Sequence, residues 1–223
     1  MRLKNKFLKI TCDGGAATGK STGARLIAKK FNLSFLSSGL LYRYASYLLI
    51  KHKPKREISF LRKRFTNLNY KRLNKINLHT PKISYKSAVI AKKLSVRNIL
   101  KLYQQKFIKI NKRCVLEGRD ASTKILPSSD VKFFFKCSLD IAAKRRYVEL
   151  KKKNNNIKLN GVKKALKQRN ISDKNRKHSP LKKHKNAVVV DTGKLNKQAM
   201  IAKMTKHIEK VIKEKYGNWT RIK

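Results

Sequence analysis

Gly14-Gly15-Ala16-Ala17-Thr18-Gly19-Lys20-Ser21, with Thr22 directly after it, fits G-x-x-x-x-G-K-[ST] at every fixed position. The flanks suit the pattern. Residues 7–12 (FLKITC) form a short apolar run that predicts a buried strand, and residues 22–31 (TGARLIAKKF) space Leu26, Ile27 and Phe31 along one helical face. A strand, a glycine turn and a helix start bring unpaired backbone N–H groups and the positive helix end to one point, which makes an anion cradle. Gly14 and Gly19 allow backbone angles that a side chain would resist. In such a cradle Lys20 reaches the β- and γ-phosphates of a nucleotide, and the Ser21 hydroxyl holds Mg²⁺. The whole stretch from Gly14 to Thr22 is therefore expected to bind the phosphates of a nucleotide.

Working outward, Leu33–Leu36 reads as a second strand, and Leu40–Ile50 as a helix with Tyr42 and Arg43 near its start. Residues 51–82 are rich in Lys and Asn and show no sustained period. They are expected to be a mobile insert on the acceptor side, with a helix near Ile58–Phe65. Helices follow at Ser84–Lys92 and Val96–Phe107, then strands at Cys114–Glu117, Val131–Cys137 and Ala187–Asp191. The apolar run VKFFFKC at 131–137 predicts a central strand covered on both faces. Ser138 is placed to cap a helix to about Lys151, Asn154–Asn156 is a loop, and Val162–Asn170 is a short basic helix. A polar segment runs on to Lys185, a helix spans Leu195–Tyr216, and Trp219 lies in a frayed tail.

Short apolar strands alternating with helices argue an α/β fold: a five-stranded parallel sheet flanked by helices. Ligands of such sheets bind beyond the carboxyl ends of the strands. Gly14, Ser38, Arg119 and Asp120 all follow strands and should gather there. The expected organisation is a core of residues 1–50 and 83–223, with a lid at about 153–185, and the insert at 51–82.

Lys and Arg number 59 against 11 Asp and Glu, a formal charge of +48 over 223 residues. That field attracts nucleic acid non-specifically and steers anionic substrates. The basic residues are spread along the chain rather than gathered in an arm, as under a compositional bias. No apolar run nears the roughly 18 residues of a membrane span. The N-terminus shows no cleavable signal, and Cys12, Cys114 and Cys137 lack metal spacing and read as buried free thiols. His52, His79, His178, His184 and His207 show no metal spacing either. A monomer in the cytoplasm is expected.

Arg43, Arg119, Arg169 and Arg176, with Arg97 near, supply planar forks that grip phosphate in bidentate fashion. Phosphoryl transfer relies mainly on positioning and fixed cations. A phosphate-binding loop with such groups on its flanks is the equipment of a small-molecule kinase. A phosphate-monoester acceptor is largely ionised at neutral pH, its second pKa being about 6, so it needs no carboxylate base. The scarcity of acidic residues leans toward that kind of acceptor.

In order along the chain stand GGAATGKST at 14–22, FLSSGLLYR at 35–43, VR at 96–97, LEGRDAST at 116–123, VKFFF at 131–135, RNISDKNRKHSPL at 169–181 and VVVDT at 188–192. In these stretches the sequence resembles the bacterial-type cytidylate kinases of the P-loop nucleoside monophosphate kinase group. The resemblance implies transfer of the ATP γ-phosphoryl group to CMP or dCMP, with Mg²⁺. It implies Lys20, Arg43, Arg119, Arg169 and Arg176 as catalytic cations, Arg43 and Arg119 holding the acceptor phosphate. Arg97 and Asp120 would read the cytosine edge, Ser38 would lie against the acceptor nucleotide, and Asp173 would hold the sugar hydroxyls. Arg169 and Arg176 would descend from the lid.

Three positions depart from the family pattern: Ser37 replaces an Asp, Ser122-Thr123 replaces Gly-Thr, and Ala88 stands where a base-contacting Ser is usual, with Ser87 one position away. A reshaped base pocket would favour another acceptor such as UMP. A polyanion-binding protein on a kinase-like scaffold is the alternative from a different class.

Overall fold

The computed structural model describes residues 6–152 and 156–217. Most of the Asn154–Asn156 loop and Trp219 fall outside the described residues. Five strands form one sheet in the order β2-β3-β1-β4-β5: β1 (Leu8–Gly14), β2 (Ser34–Ser37), β3 (Arg113–Gly118), β4 (Val131–Lys136) and β5 (Val188–Asp191). β1 runs parallel to β3, with Cys12 opposite Glu117, and parallel to β4, with Cys12 opposite Phe133. The middle position explains why Leu8, Ile10 and Cys12 on one face and Thr11 and Asp13 on the other are all inaccessible.

β4 lies between β1 and β5, but it alternates: Phe133 and Phe135 are buried while Lys132 and Phe134 keep some exposure. The strand covered on both faces is thus β1, and the apolar density of VKFFFKC overstated the cover on β4. Ile27 of α1 (Lys20–Lys30), Phe31 just after it, and Met200, Met204, Ile208 and Ile212 of α8 (Lys197–Tyr216) join Phe133 and Phe135 in one core. A smaller cluster joins α6 (Leu139–Lys151) to α7 (Leu159–Asn175) through Ala142, Ala143, Val162 and Leu166. Ser138 caps α6 by accepting from the Ile141 N–H. α7 runs five residues beyond the expected end at Asn170, because Asp173 is buried and ion-paired rather than solvated.

By contacts the chain divides into two units: residues up to Phe35 together with those from Lys112 on, and Leu36–Asn111. The second unit is helical, with α2 (Ser38–His52), α3 (Glu57–Thr66), a 3-10 turn at Tyr70–Lys75, α4 (Pro81–Ile90) and α5 (Leu94–Ile110). The aperiodic segment 51–82 lies inside it. Its dispersed apolar residues Leu61, Phe65, Leu73 and Leu78 are anchors in a core shared with Leu41, Ile90 and Leu100. Among the described residues no helix is long and apolar enough to cross a membrane. Cys12 and Cys114 are buried free thiols; Cys137 is partly exposed.

Candidate active site

The glycine loop is shaped by contacts that leave little freedom. Gly14 has φ +153°, and a Cβ there would sit 2.4 Å from the Phe135 carbonyl oxygen, so only glycine lets the loop leave β1 beside β4. Gly19 precedes α1 at φ +75°, and Ala17 also has positive φ, at 57°. The Thr18 hydroxyl donates to the Gly15 carbonyl at 3.1 Å. From beyond β5, Thr192 donates to the Thr18 carbonyl at 2.9 Å and is itself held by Arg145, which donates to its hydroxyl and carbonyl oxygens. Asn170 of α7 accepts from the Ala16 N–H at 3.3 Å, so α7 touches the loop directly.

Lys20 opens α1 and makes a buried ion pair with Glu117 of β3. Burial pushes the Lys20 ammonium below its ordinary value; Glu117 opposes that, and the like charge of Arg119 reinforces it. Beside the pair, Asp13 accepts from the N–H groups of Ala121 and Ser122 and from the Ser122 hydroxyl, at 2.8, 2.7 and 2.6 Å. These bonds hold the turn at Ala121–Ile125 that follows Arg119 and Asp120. Ser122 is one of the departures from the family pattern, and its hydroxyl gives Asp13 a third donor. Burial raises the Asp13 carboxyl even so.

Arg119 donates through Nε to Asp173 at 3.0 Å. Arg176 lies 3.5 Å from Asp173 and 3.8 Å from Asp120. Burial favours the neutral form of Asp173, but Arg119, Arg169 and Arg176 outweigh it and hold the carboxyl below its ordinary value. Arg169 is pushed down to about 10 by burial and by repulsion from Arg119, and its buried Nε finds no hydrogen-bond partner among the described residues. Three guanidinium groups thus share two carboxylates, and one of them, Arg119, acts on the charge of Lys20. Guanidinium groups of this kind suit an anion bearing several oxygens.

The other expected residues belong to the helical unit. Arg43, buried on α2, donates to the Leu78 carbonyl at 3.0 Å and to the Ser84 hydroxyl at 2.7 Å. The Ser87 hydroxyl donates to the Ser84 carbonyl at 2.8 Å, within its own helix. Arg97 donates to the Ala91 carbonyl at 3.1 Å and lies over the Tyr42 ring. Ser38 donates to Gln104 Oε1 at 2.9 Å. Ser37 caps α2, its side chain accepting from the Leu40 N–H, a task Ser and Asp perform about equally well.

Sequence reasoning missed Asp13, Glu117, Asn170, Thr192, Ser84 and Gln104. Asp13 is a strand-end residue next to the glycine loop, Glu117 lies inside the quoted LEGRDAST stretch, and Thr192 follows β5 as Arg119 follows β3, so the strand-end rule reaches all three. Ser84 and Gln104 carry no such signal, because only tertiary packing sets them against Arg43 and Ser38. Among the described residues no cluster of His, Cys, Asp and Glu is arranged to hold a metal ion.

A five-stranded parallel sheet with a glycine loop and its lysine between β1 and α1 defines a P-loop kinase. A shikimate kinase structure from Bacteroides thetaiotaomicron shares the fold at TM-score 0.51 and 11% identity, covering 91% of this chain and 99% of that one. The cytidylate kinase family model matches residues 10–210. Relatives named cytidylate kinase come from Bartonella tribocorum, 35% identical over 92% of this chain and 95% of its own length, and from Clostridium tetani, 33% identical over 95% and 98%. The chain belongs to the cytidylate kinase family.

Proposed function

We propose that this chain transfers the γ-phosphoryl group of ATP to CMP or dCMP, giving ADP and the nucleoside diphosphate. The observation that carries the reading is the group of Arg119, Arg169 and Arg176 on Asp120 and Asp173, electrostatically coupled to Lys20 of the phosphate loop. The backbone N–H groups from Gly14 to Thr22 cradle the ATP phosphates, and Lys20 leaves Glu117 for the phosphate oxygens. Mg²⁺ fits a donor set in which the exposed Ser21 hydroxyl, one residue past Lys20, joins phosphate oxygens, and when bound it neutralises the β- and γ-phosphates.

Arg43 and Arg119 hold the acceptor phosphate. Arg169 and Arg176, carried on α7 and just after it, cover the transferred group, while Asp173 meets the sugar hydroxyls. Arg97 and Asp120 read the cytosine edge, while Ser38 and Ser87 belong to the acceptor-binding group. No side chain has to remove a proton, because the attacking oxygen of a phosphate monoester is already ionised. The residues instead offset the repulsion between two anions and exclude water.

A coupled ADP-release assay with CMP, dCMP, UMP and AMP tests the reading. CMP or dCMP should be the best acceptor, and faster turnover of UMP than of both cytidine nucleotides overturns the base assignment. Retention of nucleic-acid binding without any ADP release from these acceptors would favour a polyanion-binding protein instead.

A further inference from the structure

The Ser38 hydroxyl is committed by the group behind it. Ser38 is the first residue of α2 and is 5% exposed; Gln104 of α5 is 2% exposed. One end of the Gln104 carboxamide lies 3.1 Å from the Leu100 carbonyl, and the other lies 2.9 Å from the Ser38 hydroxyl. A carbonyl can only accept, so the end facing Leu100 is the NH₂ group and the end facing Ser38 is the oxygen. That oxygen also only accepts, which obliges Ser38 to donate its single proton to it. Two lone pairs and no proton remain on Ser38 for a ligand.

We infer that Gln104 is a positioning residue that fixes Ser38 as a hydrogen-bond acceptor and so selects an amino-bearing pyrimidine over its keto counterpart. The inference rests on the cytidylate kinase reading, which sets Ser38 against the acceptor nucleotide, and it takes the base edge as the part that Ser38 meets. Cytosine presents a 4-amino donor where uracil presents a carbonyl oxygen. A hydroxyl free to rotate serves either base, whereas one held by Gln104 accepts from cytosine and turns lone pairs toward the uracil oxygen. The selectivity then comes partly from repulsion of the wrong base, which attraction to the right one does not supply.

Two measurements test this, both ratios of kcat/KM with ATP as donor. In the unaltered protein, CMP, UMP and the 2-pyrimidinone nucleotide that lacks any 4-substituent are compared. The expected order is CMP, then the unsubstituted nucleotide, then UMP; UMP equal to or better than the unsubstituted nucleotide overturns the inference without any mutation. In Gln104→Met the CMP-to-UMP ratio should fall by about tenfold, the scale of one hydrogen bond, with the KM for ATP little changed. In Ser38→Ala the ratio should also fall, and adding Gln104→Met to it should change the ratio no further. A Gln104→Met protein that loses turnover equally on CMP and UMP assigns Gln104 a packing role only and overturns the proposal. An unaltered protein inert toward CMP overturns the functional reading itself, whereas one active on CMP with the wrong acceptor order overturns the Gln104 inference alone.

Discussion

Lys20 and Glu117 are both nearly inaccessible, so neither has water to turn to when the other is removed. Breaking a buried pair by deleting one partner typically costs about 3–5 kcal/mol, whereas replacing both by neutral groups of similar shape is often close to neutral. Lys20→Met should therefore lower the thermal midpoint sharply, and Lys20→Met combined with Glu117→Gln should recover much of it. Both proteins should lose turnover by orders of magnitude. Recovery of activity along with stability would deny Lys20 its part in catalysis.

Asp173 gives a second test at the same scale. Its carboxyl is held below the ordinary value of 3.8, so the stability it contributes is complete above that pH and is lost as pH falls through the depressed value. The gap in melting temperature between the parent and Asp173→Asn should be widest near neutrality and should narrow in acid below 3.8. A gap independent of pH would mean that the three arginines do not stabilise the ionised form.

Among the elements, α1 shows how closely the loop's helix must sit on the sheet. A Cβ on Gly23 would meet two ring carbons of Phe135 at 2.9 Å, and Phe135 is itself fully buried. In an exposed helix a glycine-to-alanine change gains about 1 kcal/mol. Here the ring has nowhere to go, and overpacking costs about 1–3 kcal/mol. The clash should win, so Gly23→Ala is expected to lower the urea midpoint, and a raised midpoint would show that α1 can lift off β4 at little cost. Elements of this kind were readable where burial follows period. The five strands, α1, α6 and α8 were all found within a few residues of their ends. The reading failed where polar side chains do the packing. α7 continues past Asn170 because Asp173 is ion-paired, and no hydrophobic pattern announces an ion pair. The Arg side chains were legible from motif spacing, but their supports were not: Ser84 under Arg43 and Gln104 under Ser38 come from helices distant in sequence.

For the molecule as a whole, the charge imbalance of +48 lies almost entirely outside the candidate site. Of the 11 acidic residues, Asp13, Glu117, Asp120 and Asp173 are buried in the candidate site with Lys20, Arg119, Arg169 and Arg176, so the site is close to balanced and the excess of positive charge falls on the rest of the molecule. The surface pairs that exist, such as Lys93–Glu57 and Lys215–Asp130, tie up few of the 59 basic side chains. Exposed pairs are worth about 0–1 kcal/mol each, so long-range repulsion among the remaining cations should dominate. The screening length is about 10 Å at 0.1 M salt and about 30 Å at 0.01 M. Raising potassium chloride from about 0.01 to about 0.3 M should thus raise the melting temperature, while the KM for ATP rises as attraction of the anionic substrate is screened. Chloride is the anion of choice, since sulfate or phosphate would occupy the glycine cradle and stabilise the protein by binding. A melting temperature that falls across this range would mean that the few surface ion pairs outweigh the repulsion, and that the basic residues are arranged more favourably than an even scatter along the chain implies.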